Sequence, residues 1–375
     1  MADRVMMIGP IAPPQGGVST LFQTLLDSDL KNRYRVSIFN TNKYRVKKRY
    51  RFSTDRVRIT SFFELAIQMI LLNFSLHKEK PTIIHIQSCK SSFLRDSMFI
   101  IISRFWRKKV VLHFHSFYKE DGSFFKNKLF KSYFVYMANH VSAMIVLSES
   151  FAHGLDEIIP DIRKYVVPNF IFPNDMNASK SSEIPDKSAL NVLFVGRLST
   201  KKGIYDLLDA AYLIKSKYDI TNINFLIAGL GETENDERIV LQKLDEKDLK
   251  NNISLLGYIE GQRKIDLFKK SDILVLPSHT EVFPVVILEA MSFAMPVITT
   301  PVGANSDIIE NNVNGFIIPP KMPEMLAEKI LYFVQHPDEI LKMGQNNLGK
   351  FRAKYQVDIN IDKIDTIYQS LLEKG

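Results

Sequence analysis

The chain has 375 residues, 46% hydrophobic and 24% charged, values of a globular protein long enough for two domains or one large one. Its single cysteine, Cys89, excludes a disulfide framework and a cysteine-rich metal site, and fits a reducing compartment. The net charge of +8 is uneven: residues 1–172 hold 26 Lys/Arg against 13 Asp/Glu and the rest 23 against 28, so the first half is built to meet an anionic partner, nucleic acid or membrane.

The opening MADRVMMIGPIAPP lacks the charged-then-apolar profile of a signal peptide. Short β-branched or apolar runs at 4–9, 34–40, 82–88, 109–115, 143–148 and 165–170 predict strands with helices between them. The alternation returns at 191–198, 222–229, 253–259, 272–278, 296–301 and 315–320. Such alternation means a mostly parallel, doubly wound sheet. Its double occurrence predicts an α/β protein of two Rossmann-like domains whose strand ends face across a cleft, where ligands bind. The expected division is a first domain over 1–172, a polar linker with two prolines over 173–188, a second domain over 189–352, and an amphipathic helix over 353–375 packing back on the first domain. The most apolar helical runs, 65–74 and 97–106, are shorter than the ~20 residues that span a bilayer, so a soluble or peripheral protein is expected.

In chain order, the first candidate is PPQGGVST (13–20), after the first strand. Gly16 and Gly17 let the backbone approach a ligand closely, although a tight turn also explains the pair. No GKS or GKT follows, so this is not a P-loop. The stretch 42–58 holds eight Lys/Arg and one Asp, interleaved with Tyr44, Tyr50 and Phe52. Lipid headgroups, nucleic acid and a solvated edge all remain open for it. In VLHFHSF (111–117), strand alternation puts His113 and His115 on one face, with His115 nearer the carboxyl end. His85 and His113 read as structural residues.

The loop GRLSTKKG (196–203) follows a strand. Arg197 as a planar fork and Lys202 as a point charge can converge there on a diphosphate. Alone, the loop reads as solvated basic surface; with two carboxylates of the same domain, it reads as a site. Those carboxylates are Glu281 and Glu289 in HTEVFPVVILEA (279–290), an otherwise apolar segment. An unpaired buried charge is costly, so each has a partner or awaits a ligand. Pro284 fits the first position of the following helix. Backbone N–H groups near Phe283, Val285 and Val286, with the helix dipole, make a site for phosphate or sugar oxygens. The segment by itself leaves a structural alternative, in which Glu281 pairs with a Lys or Arg and Glu289 is a partly exposed helix residue. IAGLGETE (227–234) lacks the third glycine of a dinucleotide fingerprint, and no DxD pair closes a strand, so no metal site is expected.

Together these motifs resemble the retaining glycosyltransferases of family 4, which have the GT-B architecture. The resemblance runs over nearly the whole chain: GGV, FHS, VVPNF, GRL with KKG, PSHTEVFPVVILEAMSFAMPVI and VGANSDIIENNVNGFII. It implies that Glu289 holds the nucleotide ribose and that Glu281 lies against the donor sugar. It places Arg197 and Lys202 on the diphosphate, Gly16 and Gly17 near the phosphates, and His115 near the sugar. It also implies transfer from a UDP- or GDP-sugar to a saccharide acceptor with retention and without a metal. Val282, Ala294, Asp307 and Phe170 depart from the family's usual Gly, Gly, Glu and Gly. Val282 then narrows the sugar pocket. The basic first domain suggests a lipid-linked acceptor and an anionic membrane surface rather than nucleic acid, with 42–58 and 123–134 resting on the bilayer. The expectation is a cytoplasmic bacterial enzyme, peripheral on the inner face of the membrane, building O-antigen, capsule or exopolysaccharide. The competing readings are a sugar-nucleotide 2-epimerase on the same fold, a non-enzymatic basic binding protein, and a catalytically silent partner subunit, against which the intact set Arg197, Lys202, Glu281 and Glu289 argues. The first needs no acceptor, and the second leaves Glu281 and Glu289 unexplained.

Overall fold

In the computed structural model, residues 3–11, 16–42, 59–116, 127–173 and 189–373 are described. The basic stretch from residue 43 to 58, most of the expected linker and the start of the 123–134 stretch lie outside the described residues. The apolar runs of the first half form β1 (Arg4–Gly9), β2 (Arg35–Asn40), β3 (Ile83–Ser88), β4 (Lys109–Phe114), β5 (Ala143–Val146) and β6 (Lys164–Val166). They make one six-stranded parallel sheet in the order β2-β1-β3-β4-β5-β6. Strand β6 stops earlier than the 165–170 run suggests, because Pro168 has no N–H to give the ladder. The helices of this half are α1 (Gly17–Asp27), α2 (Leu30–Arg33), α3 (Ile59–Glu79), α4 (Phe93–Phe105), α5 (Lys128–Ala138) and α6 (Glu149–Asp156).

The second half repeats the plan with β7 (Leu190–Val195), β8 (Ile223–Ala228), β9 (Ile253–Leu255), β10 (Ile273–Leu276), β11 (Val297–Thr299) and β12 (Gly315–Ile317). Their parallel order is β12-β11-β10-β7-β8-β9. The helices are α7 (Ile204–Tyr218), α8 (Glu234–Glu246), α9 (Gly261–Lys270), α10 (Val285–Ser292), α11 (Asn305–Ile308), α12 (Pro323–Gln335) and α13 (Pro337–Lys354), and α14 (Val357–Leu372) closes the chain. Two compact units result: residues 1–171 with 356–375, and residues 172–355.

Period-2 alternation turns Val5 and Met7, Ile83, Val111 and Ile145 to one face of the first sheet. Leu21, Phe22 and Leu25 of α1 cover that face, together with Ile361, Ile364, Ile367 and Leu371 of α14. Each such side chain contributes about 1.5–3 kcal/mol on burial. In the second unit Val192, Phe194, Phe225, Ile227 and Val275 pack under Leu207, Leu208 and Ala211 of α7 and Leu326 and Ile330 of α12.

Strand order fixes where each sheet can take a ligand. In doubly wound sheets the crevice lies beyond the carboxyl ends of the strands, where the direction of winding reverses. That point falls between β1 and β3 in the first unit and between β7 and β10 in the second.

Candidate functional site

The loops after β7 and β10 flank the second reversal point and are locked together. The first passes Gly196 and Arg197, makes a 3-10 turn over Thr200–Lys202, and leaves it at Gly203, φ +71. A Cβ on Gly203 would meet the Pro277 carbonyl oxygen at 2.0 Å, so only glycine lets the loops touch. The His279 N–H donates to the Lys201 carbonyl at 2.9 Å. Lys202 Nζ donates to Glu281 Oε1 at 2.6 Å, and Ser278 Oγ donates to the same oxygen at 2.9 Å.

This answers why the apolar segment keeps its first carboxylate. The Glu281 side chain is 7% exposed and that of Lys202 21%, so the pair is largely out of water, and removing one partner strands the other's charge. Glu281 Oε2 has no protein partner among the described residues. The loop after β11 supports this arrangement from beneath. Gly303 has φ +59, and a Cβ there would meet the carbonyl oxygens of Glu281 and Val282 at 2.5 and 2.6 Å. The Ala304 N–H donates to Val282 O at 2.8 Å.

Pro284 is the N-cap of α10, with ψ 115, and not its first helical residue as expected; its extended ψ starts the helix at Val285. Val285 and Val286 therefore hold the first-turn N–H groups, which have no carbonyl a turn earlier to bind. The Phe283 ring is buried and meets Tyr355 edge-on at 6.2 Å, so this side chain serves packing. Glu289 lies further along α10, where Lys264 of α9 donates to its Oε1 at 2.6 Å. Arg197 forms an ion pair with Glu232 in the loop after β8 at 2.9 Å. Lys202 and Glu281 are thus brought into contact, while Arg197 and Glu289 each have a partner of their own.

In the first unit, Gly16 and Gly17 open α1 beside the first reversal point. Gly16 has φ −173, ordinary extended backbone. A Cβ on Gly17 would meet nothing within 4 Å, and one on Gly16 only Ser19 Oγ at 4.0 Å. Among the described residues, no packing contact requires glycine at either position.

His115 follows β4, with Nε2 2.5 Å from Gln87 Oε1. A carbonyl oxygen only accepts, so Nε2 carries the proton and Nδ1 is left bare. The ring stacks on His113 at 4.3 Å. Gln87 Nε2 lies 3.0 Å from His85 Nε2, and His85 Nδ1 lies 2.5 Å from the Tyr368 hydroxyl of α14. Burial, with repulsion from His85, pushes His115 down to about 3; burial alone brings His85 to about 3, and burial with its two neighbours holds His113 well below the usual range. All three are neutral near pH 7.

Sequence reasoning missed Lys264, Glu232, Ser278 and Gln87. Ser278 had a signal, standing three residues before Glu281 in the same turn. Glu232 stands in the IAGLGETE segment and Gln87 in the run 82–88, but each is at least 25 residues from the candidate residue it meets, as Lys264 is from Glu289. Among the described residues, no group of three or more His, Cys, Asp or Glu could hold a metal ion.

Residues 15–174 match the model of glycosyltransferase family 4, and residues 175–349 that of the group 1 glycosyl transferases. The chain belongs to the family 4 glycosyltransferases. This glycosyltransferase is 26% identical over 337 residues to the capsular polysaccharide biosynthesis glycosyltransferase CapM of Staphylococcus aureus, covering 85% of this chain and 84% of the relative. It is 28% identical over 317 residues to the UDP-Gal:alpha-D-GlcNAc-diphosphoundecaprenol alpha-1,3-galactosyltransferase of Escherichia coli, 80% of this chain and 78% of that one. An uncharacterized glycosyltransferase of Methanocaldococcus jannaschii is 32% identical over 205 residues, and there the match spans only about half of each protein, 51%. The structure of HepE from Anabaena in complex with UDP superposes with a TM-score of 0.73 at 18% identity, covering 98% of this chain and 100% of that one. The likeness shows the shared GT-B fold.

Proposed function

We propose that this glycosyltransferase takes its sugar from a UDP-sugar, retains the anomeric configuration, needs no metal, and acts on a lipid-linked saccharide of a bacterial surface polysaccharide at the cytoplasmic face of the membrane. The observation that carries this reading is the Lys202–Glu281 pair, held across the reversal point of the second sheet beside the N-terminus of α10. UDP is favoured over GDP because HepE was crystallised with UDP and the Escherichia coli relative is named for UDP-galactose. The same relative's diphosphoundecaprenol acceptor supports the lipid carrier.

In this reading Glu289 Oε2 accepts from the ribose hydroxyls and Glu281 Oε2 from the donor sugar. Lys202, Arg197 and the N–H groups of Val285 and Val286 face the diphosphate. As the bond from the anomeric carbon to the diphosphate oxygen breaks, negative charge grows on that oxygen. The fixed positive groups stabilise it there, a contribution of about 10²–10³ in rate for a single well-placed donor. The departing oxygen takes the proton of the acceptor hydroxyl on the same face of the sugar, so no covalent bond to Glu281 forms. The charge that a metal supplies elsewhere comes here from Lys202 and Arg197. In the first unit, the open flank of Gly17 suits close approach by phosphates, and the bare Nδ1 of neutral His115 suits a sugar hydroxyl.

The test is thermal stabilisation by UDP-, GDP-, ADP- and CMP-sugars in EDTA, for wild type and Glu289→Ala. UDP-sugars should stabilise the wild type alone. Stabilisation by none of them overturns the donor assignment. Product formed from the donor without any acceptor selects the epimerase instead.

A further inference from the structure

The first unit leaves two helices bare on one side. In α3 the buried Gln68, Leu72 and Leu76 mark the face toward the protein. Phe63, Ile67, Ile70 and Phe74 fall on the opposite face, exposed by 70, 48, 68 and 65%. Their i, i+4, i+7, i+11 spacing is one stripe of a helix. Helix α4 repeats it: Leu94, Ile101 and Phe105 are exposed by 61, 44 and 82%. Half-buried Met98 completes the spacing, while Phe99, Ile100 and Ile102 are buried.

The two stripes are neighbours. Helices α3 and α4 lead into the adjacent parallel strands β3 and β4, so they run in the same direction. Their C-terminal ends are tied by Trp106 Nε1, which donates to Asn73 Oδ1 at 2.9 Å, and by the His77 and Trp106 rings at 5.9 Å. A contiguous apolar face of this kind marks an interaction surface, whereas isolated exposed apolar residues are ordinary. At its C-terminal rim stand exposed Lys78, Lys80, Arg104 and Arg107, with Glu79 as the acid among them.

We propose that this face of α3 and α4 lies in the interface of an anionic bilayer, with Phe63, Ile70, Phe74 and Phe105 entering the acyl boundary and the basic rim on the lipid phosphates. No helix among the described residues is long and apolar enough to cross a membrane, so the geometry is that of helices lying in the interface plane. The basic rim selects lipid over a second copy of the chain, because a two-fold partner presents the same rim and offers it no countercharge. The proposal rests on the lipid-linked acceptor proposed above, but its test needs no transfer reaction.

The full chain is sedimented with phosphatidylglycerol-containing vesicles and with neutral phosphatidylcholine vesicles. Binding should favour the anionic set and weaken at least about tenfold in Phe74→Ser/Phe105→Ser. Trp106 is the only tryptophan and adjoins Phe105, so brominated anionic lipids should quench wild-type fluorescence. That readout stands even where the double variant folds poorly. Absence of quenching, vesicle binding unchanged by the substitutions, or a wild-type dimer that the substitutions dissociate would each overturn the proposal. Vesicle binding without stabilisation by any nucleotide sugar would sink the donor reading alone; the reverse result would sink this one alone.

Discussion

The two units are both six-stranded and parallel, yet they reverse direction at different strands and place different polar chemistry at that end of the sheet. The second unit sets paired charges there, Lys202 on Glu281 and Arg197 on Glu232. The first sets uncharged rings, His115 on Gln87 and His85 on Tyr368. The burial explains the contrast. Charges that keep a counterion and some access to water can persist, as Lys202 at 21% and Arg197 at 44% exposure do, whereas the histidines, at most 5% exposed, avoid the desolvation cost by staying neutral. The first unit therefore keeps neutral hydrogen-bonding groups at that end, and the second keeps paired charges, which the proposed function sets against a diphosphate.

Acid should break the comparison most visibly. The histidines have folded pKa values below their unfolded value of about 6.5, so the unfolded chain binds more protons between the two. Their contribution is complete above that value and is lost as the pH falls toward about 3. The slope is about 1.4 kcal/mol per pH unit for each histidine. Hydrogen exchange at pH 7 and pH 5 should show β3 and β4 losing protection ahead of β7 and β10; equal loss would refute the contrast.

Next in size is Lys202→Ala, which should lower kcat by about 10²–10³ while the first unit's melting is unchanged. Steady-state kinetics with a UDP-sugar, beside a thermal melt, checks both halves. Gly303→Ala follows. Its Cβ would press on two carbonyl oxygens at 2.5 and 2.6 Å, and the strained backbone should cost about 1–3 kcal/mol in denaturant unfolding. Of similar size is Tyr368→Phe, which leaves His85 Nδ1 without its partner and should cost about 1–3 kcal/mol, appearing only in the transition of the first unit. A loss in the second unit's transition would show that α14 is not confined to the first core.

Much of the fold was legible because parallel strands are covered on both faces and read as short apolar runs, such as RVMMIG and DILVLPS. Glu281 and Glu289 were legible for the opposite reason, as carboxylates in a run that otherwise avoids charge. Their partners were not. Lys202 lies 79 residues before Glu281 and Lys264 lies 25 before Glu289; the GRLSTKKG loop marks Lys202 as a phosphate candidate, but nothing local ties it to Glu281, and nothing marks Lys264 at all. Helix α3 shows another limit of local pattern. ITSFFELAIQMILLNF is apolar on nearly every side, which reads as burial, while the structure covers one side and leaves Phe63, Ile70 and Phe74 in the open.

The sequence by itself determined which segments become strands and helices and which residues could carry charge or approach a ligand closely, because those properties depend on neighbours within a turn or a strand. Only the tertiary structure decided that Lys202 meets Glu281, that His85 meets Tyr368 of α14 with His113 and His115 buried beside it, and which face of α3 stays bare. Each of those depends on strand order, which brings together residues far apart along the chain and which local periodicity does not encode.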